Sequence, residues 1–128
     1  MSIFLWKISK IVFSNALDAN RLTNLTSISF GNFNTSNVTD MSCMFSNCRV
    51  LTSLNLSSFD MSKVTNTDGM FLGCSGLTEI KTPKAIGSAA VDLPTKTGYL
   101  WVDKNNTSTK YTKINSTNVG QTLIRKVN

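Results

Sequence analysis

The chain contains no histidine. That absence removes the usual general base of nucleophilic triads, the commonest zinc ligand and the side chain that titrates near neutral pH. Charged residues make up only 16% of the sequence, with no two carboxylates close together in the chain and no phosphate-cradling G-x-x-x-x-G-K-[ST] segment. Cys43, Cys48 and Cys74 are the three cysteines, and they form no C-x-x-C pair, so a zinc knuckle or a redox motif is not indicated. No stretch approaches the roughly 20 apolar residues of a membrane-spanning helix. Met1–Phe13 is apolar, but Lys7 and Lys10 interrupt it where an export signal needs an unbroken run. Together these absences predict a non-enzymatic chain without catalytic, cofactor-binding or metal-ligating residues and without a small-molecule substrate.

What is abundant is short and neutral. Ser, Thr and Asn occupy 46 of the 128 positions, so the surface is made for hydrogen bonding rather than for strong fields. The net charge of +6 arises wholly after Ile80, where Lys81, Lys84, Lys96, Lys104, Lys110, Lys113, Arg125 and Lys126 face only Asp92 and Asp103. Such a segment serves either as an anion-seeking face or as a solvated β surface whose lysines guard strand edges. The lysines are spread rather than run together, which favours the second reading over nucleic-acid binding.

The chain is organised by a repeat. Leu51–Gly76 lies over Leu25–Val50 at a period of 26, with ten identities that include Phe33/Phe59, Val38/Val64, Met44/Met70, Phe45/Phe71 and Cys48/Cys74. Fixed self-similarity of this length marks a stacked array. Leu51-Thr-Ser-Leu54-Asn-Leu56 and Leu25-Thr-Ser-Ile28-Ser-Phe30 both read L-x-x-L-x-L, the strand text of a leucine-rich repeat. Two-residue alternation turns Leu54 and Leu56 inward and Ser53 and Asn55 outward. Val64, Thr67, Phe71 and Cys74 then recur at three or four residues, which predicts a short helix in each coil. The expected fold is an α/β, leucine-rich-repeat-like solenoid, strand plus short helix per coil. Stacking sets Cys48 beside Cys74, as a disulfide or as a column of buried thiols. Phe33 and Phe59 are expected to stack at the bend.

The phrases FNTSNVTDMSCMFSNCRVLTSL and FDMSKVTNTDGMFLGCSGLTEI resemble the 26-residue repeat of the BspA-like bacterial surface proteins, which also occurs in Mycoplasma-type lipoproteins and in Listeria. The likeness covers Leu25 to about Ile80. It implies a cell-surface or secreted location and adhesion to proteins or glycans of host or neighbouring cells. It implies no catalytic residue.

Three parts are expected: a worn repeat or cap over 1–24, two full repeats and a partial third strand over 25–82, and an antiparallel β cap over 83–128. Repetition stops at Pro83, after a third strand that carries Thr82 at its last core position. Two coils are few for an array of this kind, so a fragment of a longer array is expected. The candidate binding face is the outward set Thr26, Ser27, Ser29, Thr52, Ser53, Asn55, Glu79 and Lys81. A second candidate, for a polyanion or nucleic acid, is Trp101 and Tyr111 with Lys104, Lys110 and Lys113. N-x-[ST] sequons at Asn24, Asn34, Asn37, Asn55, Asn105, Asn106 and Asn115 are read mostly as a product of composition.

Overall fold

The computed structural model describes Thr26, Ile28, Phe30 and residues 33–128; the expected cap over 1–24 lies outside these residues. Successive repeats stack in parallel at the period of the sequence. Strand β1 (Ser53–Asn55) pairs with β3 (Glu79–Lys81), and Ser53, Leu54 and Asn55 face Glu79, Ile80 and Lys81. Asp40 forms an isolated parallel bridge to Asn66, again 26 residues on. Leu54 and Ile80 are buried, whereas Ser53, Asn55 and Lys81 are exposed, as the two-residue alternation requires.

The predicted helix is absent. Among the described residues there is no helix, and the segment after each strand is a run of tight turns, Ser42–Asn47 in one repeat and Gly69–Gly73 within the next. The physical reason lies in where alternate N–H groups go. Met44, Ser46 and Cys48 donate back three residues, to the carbonyls of Met41, Cys43 and Phe45. The residues between them, Cys43, Phe45 and Asn47, donate instead to Asp68, Met70 and Leu72 of the next repeat, at 2.6–2.9 Å. A helix would return every N–H to the fourth residue before it; here half of them hold the next layer. Left-handed backbone at Cys43 (φ 57°), Asn47 (φ 62°), Gly69 (φ 64°) and Gly73 (φ 78°) enforces the change, since a right-handed helix cannot pass through that conformation. The fold is therefore all-β with turns, and the α/β reading with a helix in each coil is overturned.

The three-to-four spacing still marks what faces inward. Val64, Phe71 and Cys74 are buried, as are Val38, Met41, Phe45 and Cys48. Phe33 stacks on Phe59 with ring centres 5.7 Å apart, and Phe45 on Phe71 at 5.9 Å. Cys48 and Cys74 are buried and unbridged. Repetition also runs past Pro83. Strand β2 (Asp60–Met61) pairs in parallel with β4 (Ala85–Ile86), and Gly87 donates to the Met61 carbonyl.

The C-terminal third extends the same sheet. Strand β9 (Thr122–Val127) lies antiparallel to β3, then to β6 (Tyr99–Asp103), and β6 pairs with β7 (Asn106–Tyr111), giving the order β1-β3-β9-β6-β7. A separate pair joins β5 (Val91–Asp92) to β8 (Lys113–Ile114). Thr82 is fully buried and is the pivot of this junction. Its hydroxyl donates to the Asn118 carbonyl at 2.7 Å and accepts from the Gln121 N–H at 2.9 Å, so the polar residue at an apolar repeat position ties the C-terminal loop to the stack.

Candidate binding surface

Parallel pairing converts the outward residues of single strands into short rows. Ser53 stands beside Glu79 and Asn55 beside Lys81, while β9 continues the rows with Ile124 and Thr122. Buried Leu54, Ile80 and Leu123 lie beneath them on the opposite face. Thr52 is exposed at the start of β1, and its carbonyl accepts from the N–H and the hydroxyl of Thr78. Thr26 is exposed; Ser27 and Ser29 lie outside the described residues.

Asn55 is only half available to a ligand. Its Oδ1 accepts from both the N–H (3.0 Å) and the hydroxyl (2.6 Å) of Ser57, which leaves the amide NH2 for outward chemistry. The same motif recurs at Asn34 with Ser36, Asn106 with Ser108 and Asn115 with Thr117. Four of the N-x-[ST] sequons therefore have a local cause, because residue i+2 supplies two donors to one amide oxygen and closes a turn. Asp40 and Asp60 close equivalent turns onto the N–H groups of Ser42 and Ser62. For Asp60 the hydrogen bonds from Ser62 hold the carboxyl below its ordinary value, with Lys84 and Lys63 adding to the effect.

The second candidate set does not come together. Trp101 and Tyr111 are direct partners across β6 and β7, but Trp101 is buried, donates Nε1–H to the Pro94 carbonyl at 2.8 Å and lies under the Arg125 guanidinium, 5.1 Å from its ring centre. Arg125 also donates to the carbonyls of Ser75 and Pro94. Burial lowers its pKa from the ordinary value, yet a guanidinium stays charged throughout the working range. Through these bonds Arg125 fastens the sheet to the last repeat turn, and the guanidinium occupies the Trp101 ring face that a base would need. Lys104 turns to Glu79 at 3.4 Å and so belongs to the first surface. Lys113 pairs with Asp92 at 3.3 Å, and Lys110 stands opposite Val102, one position away from the Trp101–Tyr111 pair. Among the described residues the exposed aromatic is Tyr99, with the Lys96 ammonium 4.9 Å from its ring centre.

Sequence reasoning misses Thr122 and Lys104 as members of the polar face, and Ile124 as the apolar residue that continues the row of Ser53 and Glu79. The alternation in β9 is visible in the text, but the β3–β9 pairing that brings them there is non-local and leaves no mark in either segment. A groove of about 370 Å³ lies between the last turn run and the 92–95 connector, with Gly69, Phe71, Leu72, Gly73, Leu93 and Thr95 among its walls.

The family model described as Mycoplasma protein of unknown function, DUF285, matches residues 2–85. Its match ends at Ala85, the first residue of β4, one residue short of the last parallel pair of the stack, Met61 with Ile86. No curated protein and no solved structure matches the chain.

Proposed function

The chain belongs to this Mycoplasma protein family, DUF285, a repeat-type family related to the BspA-like surface repeats, and on that premise we propose that it is a non-enzymatic, surface-exposed repeat module that adheres to proteins or glycans of host or neighbouring cells. The contact surface is the polar face of β1, β3 and β9. The observation that carries this reading is the row pairing of Ser53 with Glu79 and Asn55 with Lys81. These side chains stand on backbone fixed by inter-strand hydrogen bonds, so little conformational entropy is lost when a partner orders them. Both signs of charge and several neutral donors lie side by side, which suits a shallow hydrogen-bonded contact better than a polyanion. Lys104 and Lys113 already face carboxylates, which weakens the support for the polyanion reading.

The test uses fluorescently labelled protein on cultured epithelial cells, with and without prior trypsin or glycosidase treatment of the cells. The proposal expects saturable binding that falls after one of these treatments and falls at least tenfold when Ser53→Lys and Asn55→Lys are combined, with the fold intact by circular dichroism. Binding unchanged in that variant would remove the strand face as the site. Binding that collapses between 50 and 200 mM salt would favour the polyanion alternative.

A further inference from the structure

The groove beside the last turn run carries an unfinished rung of the repeat ladder. In the preceding layer the N–H groups of Cys43, Phe45 and Asn47 reach the carbonyls of Asp68, Met70 and Leu72. One period later the corresponding residues are Gly69, Phe71 and Gly73. Their backbone N–H groups have no acceptor among the described residues, whereas Met70, Leu72 and Cys74 between them bond back to Thr67, Gly69 and Phe71 as in the layer before. The chain has left the repeat path by this point, because after Gly87 it runs through β5 and the 92–95 connector, which forms the opposite wall of the groove. The connector's Pro94 carbonyl is committed to Trp101 and Arg125. Leu72, 67% exposed, stands at the rim.

We propose that the groove is a docking site for a polypeptide segment of a partner protein, which completes the rung by offering carbonyls at alternate residues to the N–H groups of Gly69, Phe71 and Gly73. The molecule contains its own template for the contact. Between the two turn runs the repeat interface carries three such bonds, next to a fourth from Met41 to Asn66, and the groove continues the turn-run part of that interface by one layer. A single anion would satisfy one or two of these donors, whereas a chain with a two-residue repeat meets all three, as Asp68, Met70 and Leu72 do. Main-chain bonds of this kind supply affinity without demanding a particular sequence. Selectivity comes from an apolar side chain packed against Leu72 and the groove wall at Leu93. The site is distinct from the polar strand face, so either can fail without the other.

The test is an amide-resolved NMR titration of the 15N-labelled protein with a synthetic peptide of residues 66–76, the segment whose carbonyls fill the equivalent rung, and separately with sodium sulfate. The inference expects the peptide to shift the Gly69, Phe71 and Gly73 amides selectively, to slow their hydrogen exchange at least tenfold, and to leave Ser53 and Asn55 unmoved. Leu72→Arg, at an exposed position that leaves the core untouched, is expected to weaken the peptide at least tenfold. Three amides that remain unmoved at millimolar peptide would overturn the inference. Shifts produced equally by sulfate would also overturn it, in favour of an anion site.

Discussion

The thiol of Cys74 donates to the carbonyl of Phe45 across the repeat interface, with Sγ 2.9 Å from the oxygen. The cysteine that recurs at this repeat position thus acts as a small buried residue with one weak donor, and its neighbour in the stack, Cys48, is equally buried.

Chemical modification separates the three thiols. Cys43 is exposed, whereas burial pushes the thiols of Cys48 and Cys74 up to about 11 and about 12. Reaction with a thiol reagent at pH 8 should therefore give one fast equivalent in the folded protein and three in urea. Three fast equivalents without denaturant would contradict the buried column.

Alkaline stability follows from the same burial. Below pH 9 both thiols are protonated in the folded and the unfolded chain, and the stabilisation is complete. Above pH 9 the unfolded chain releases protons that the folded chain retains until about pH 11 and 12. Stability therefore falls as pH rises through this window, each tenfold difference in proton affinity between the two states being worth about 1.4 kcal/mol. Urea midpoints should decline between pH 9 and 11, and the decline should be shallower when Cys48→Ala and Cys74→Ala are combined.

Backbone handedness predicts opposite outcomes at two left-handed positions of the turn runs. Gly73→Ala places a Cβ in left-handed backbone and against the side chain and backbone of Asn47, at a cost on the order of 2–4 kcal/mol. Cys43→Gly relieves the same strain, and Gly69 already serves at that position in the next repeat. It should be neutral or stabilising by up to about 1 kcal/mol, since the flexibility gained by the unfolded chain offsets part of the relief. Thermal midpoints of the two variants decide the matter.

Thr82→Val keeps the shape of a fully buried side chain and deletes its hydroxyl. The carbonyl of Asn118 then loses its donor and the N–H of Gln121 its acceptor, which predicts a loss of about 1–3 kcal/mol by urea denaturation. Valine at this position with unchanged stability would mean that the threonine does not hold the C-terminal loop.

The repeat period, the inward residues and the strand at Ser53–Asn55 are legible in the sequence because stacking imposes identity at 26-residue intervals and burial imposes alternation. The helix is not, because periodicity reports which side chains turn inward and says nothing of where the N–H groups go. Phe45 and Phe71 are buried at helical spacing while their backbone runs as turns. One sign is present in the text: Gly69 and Gly73, four residues apart inside the supposed helix, are poor helix residues and good left-handed ones. Continuation of the stack to Ile86 is hidden by Pro83, which ends the resemblance without ending the parallel ladder. The pairing of β3 with β9 spans some forty residues, so the polar face that depends on it can be only half read from β1 and β3.

Residue-resolved amide hydrogen exchange of the free protein tests the alternating ladder most directly. Protection is predicted at Cys43, Phe45 and Asn47, whose N–H groups bridge to the next repeat, and fast exchange at Gly69, Phe71 and Gly73 one layer on. Equal protection at both sets, or the uniform protection of a helix through 66–74, would contradict the ladder.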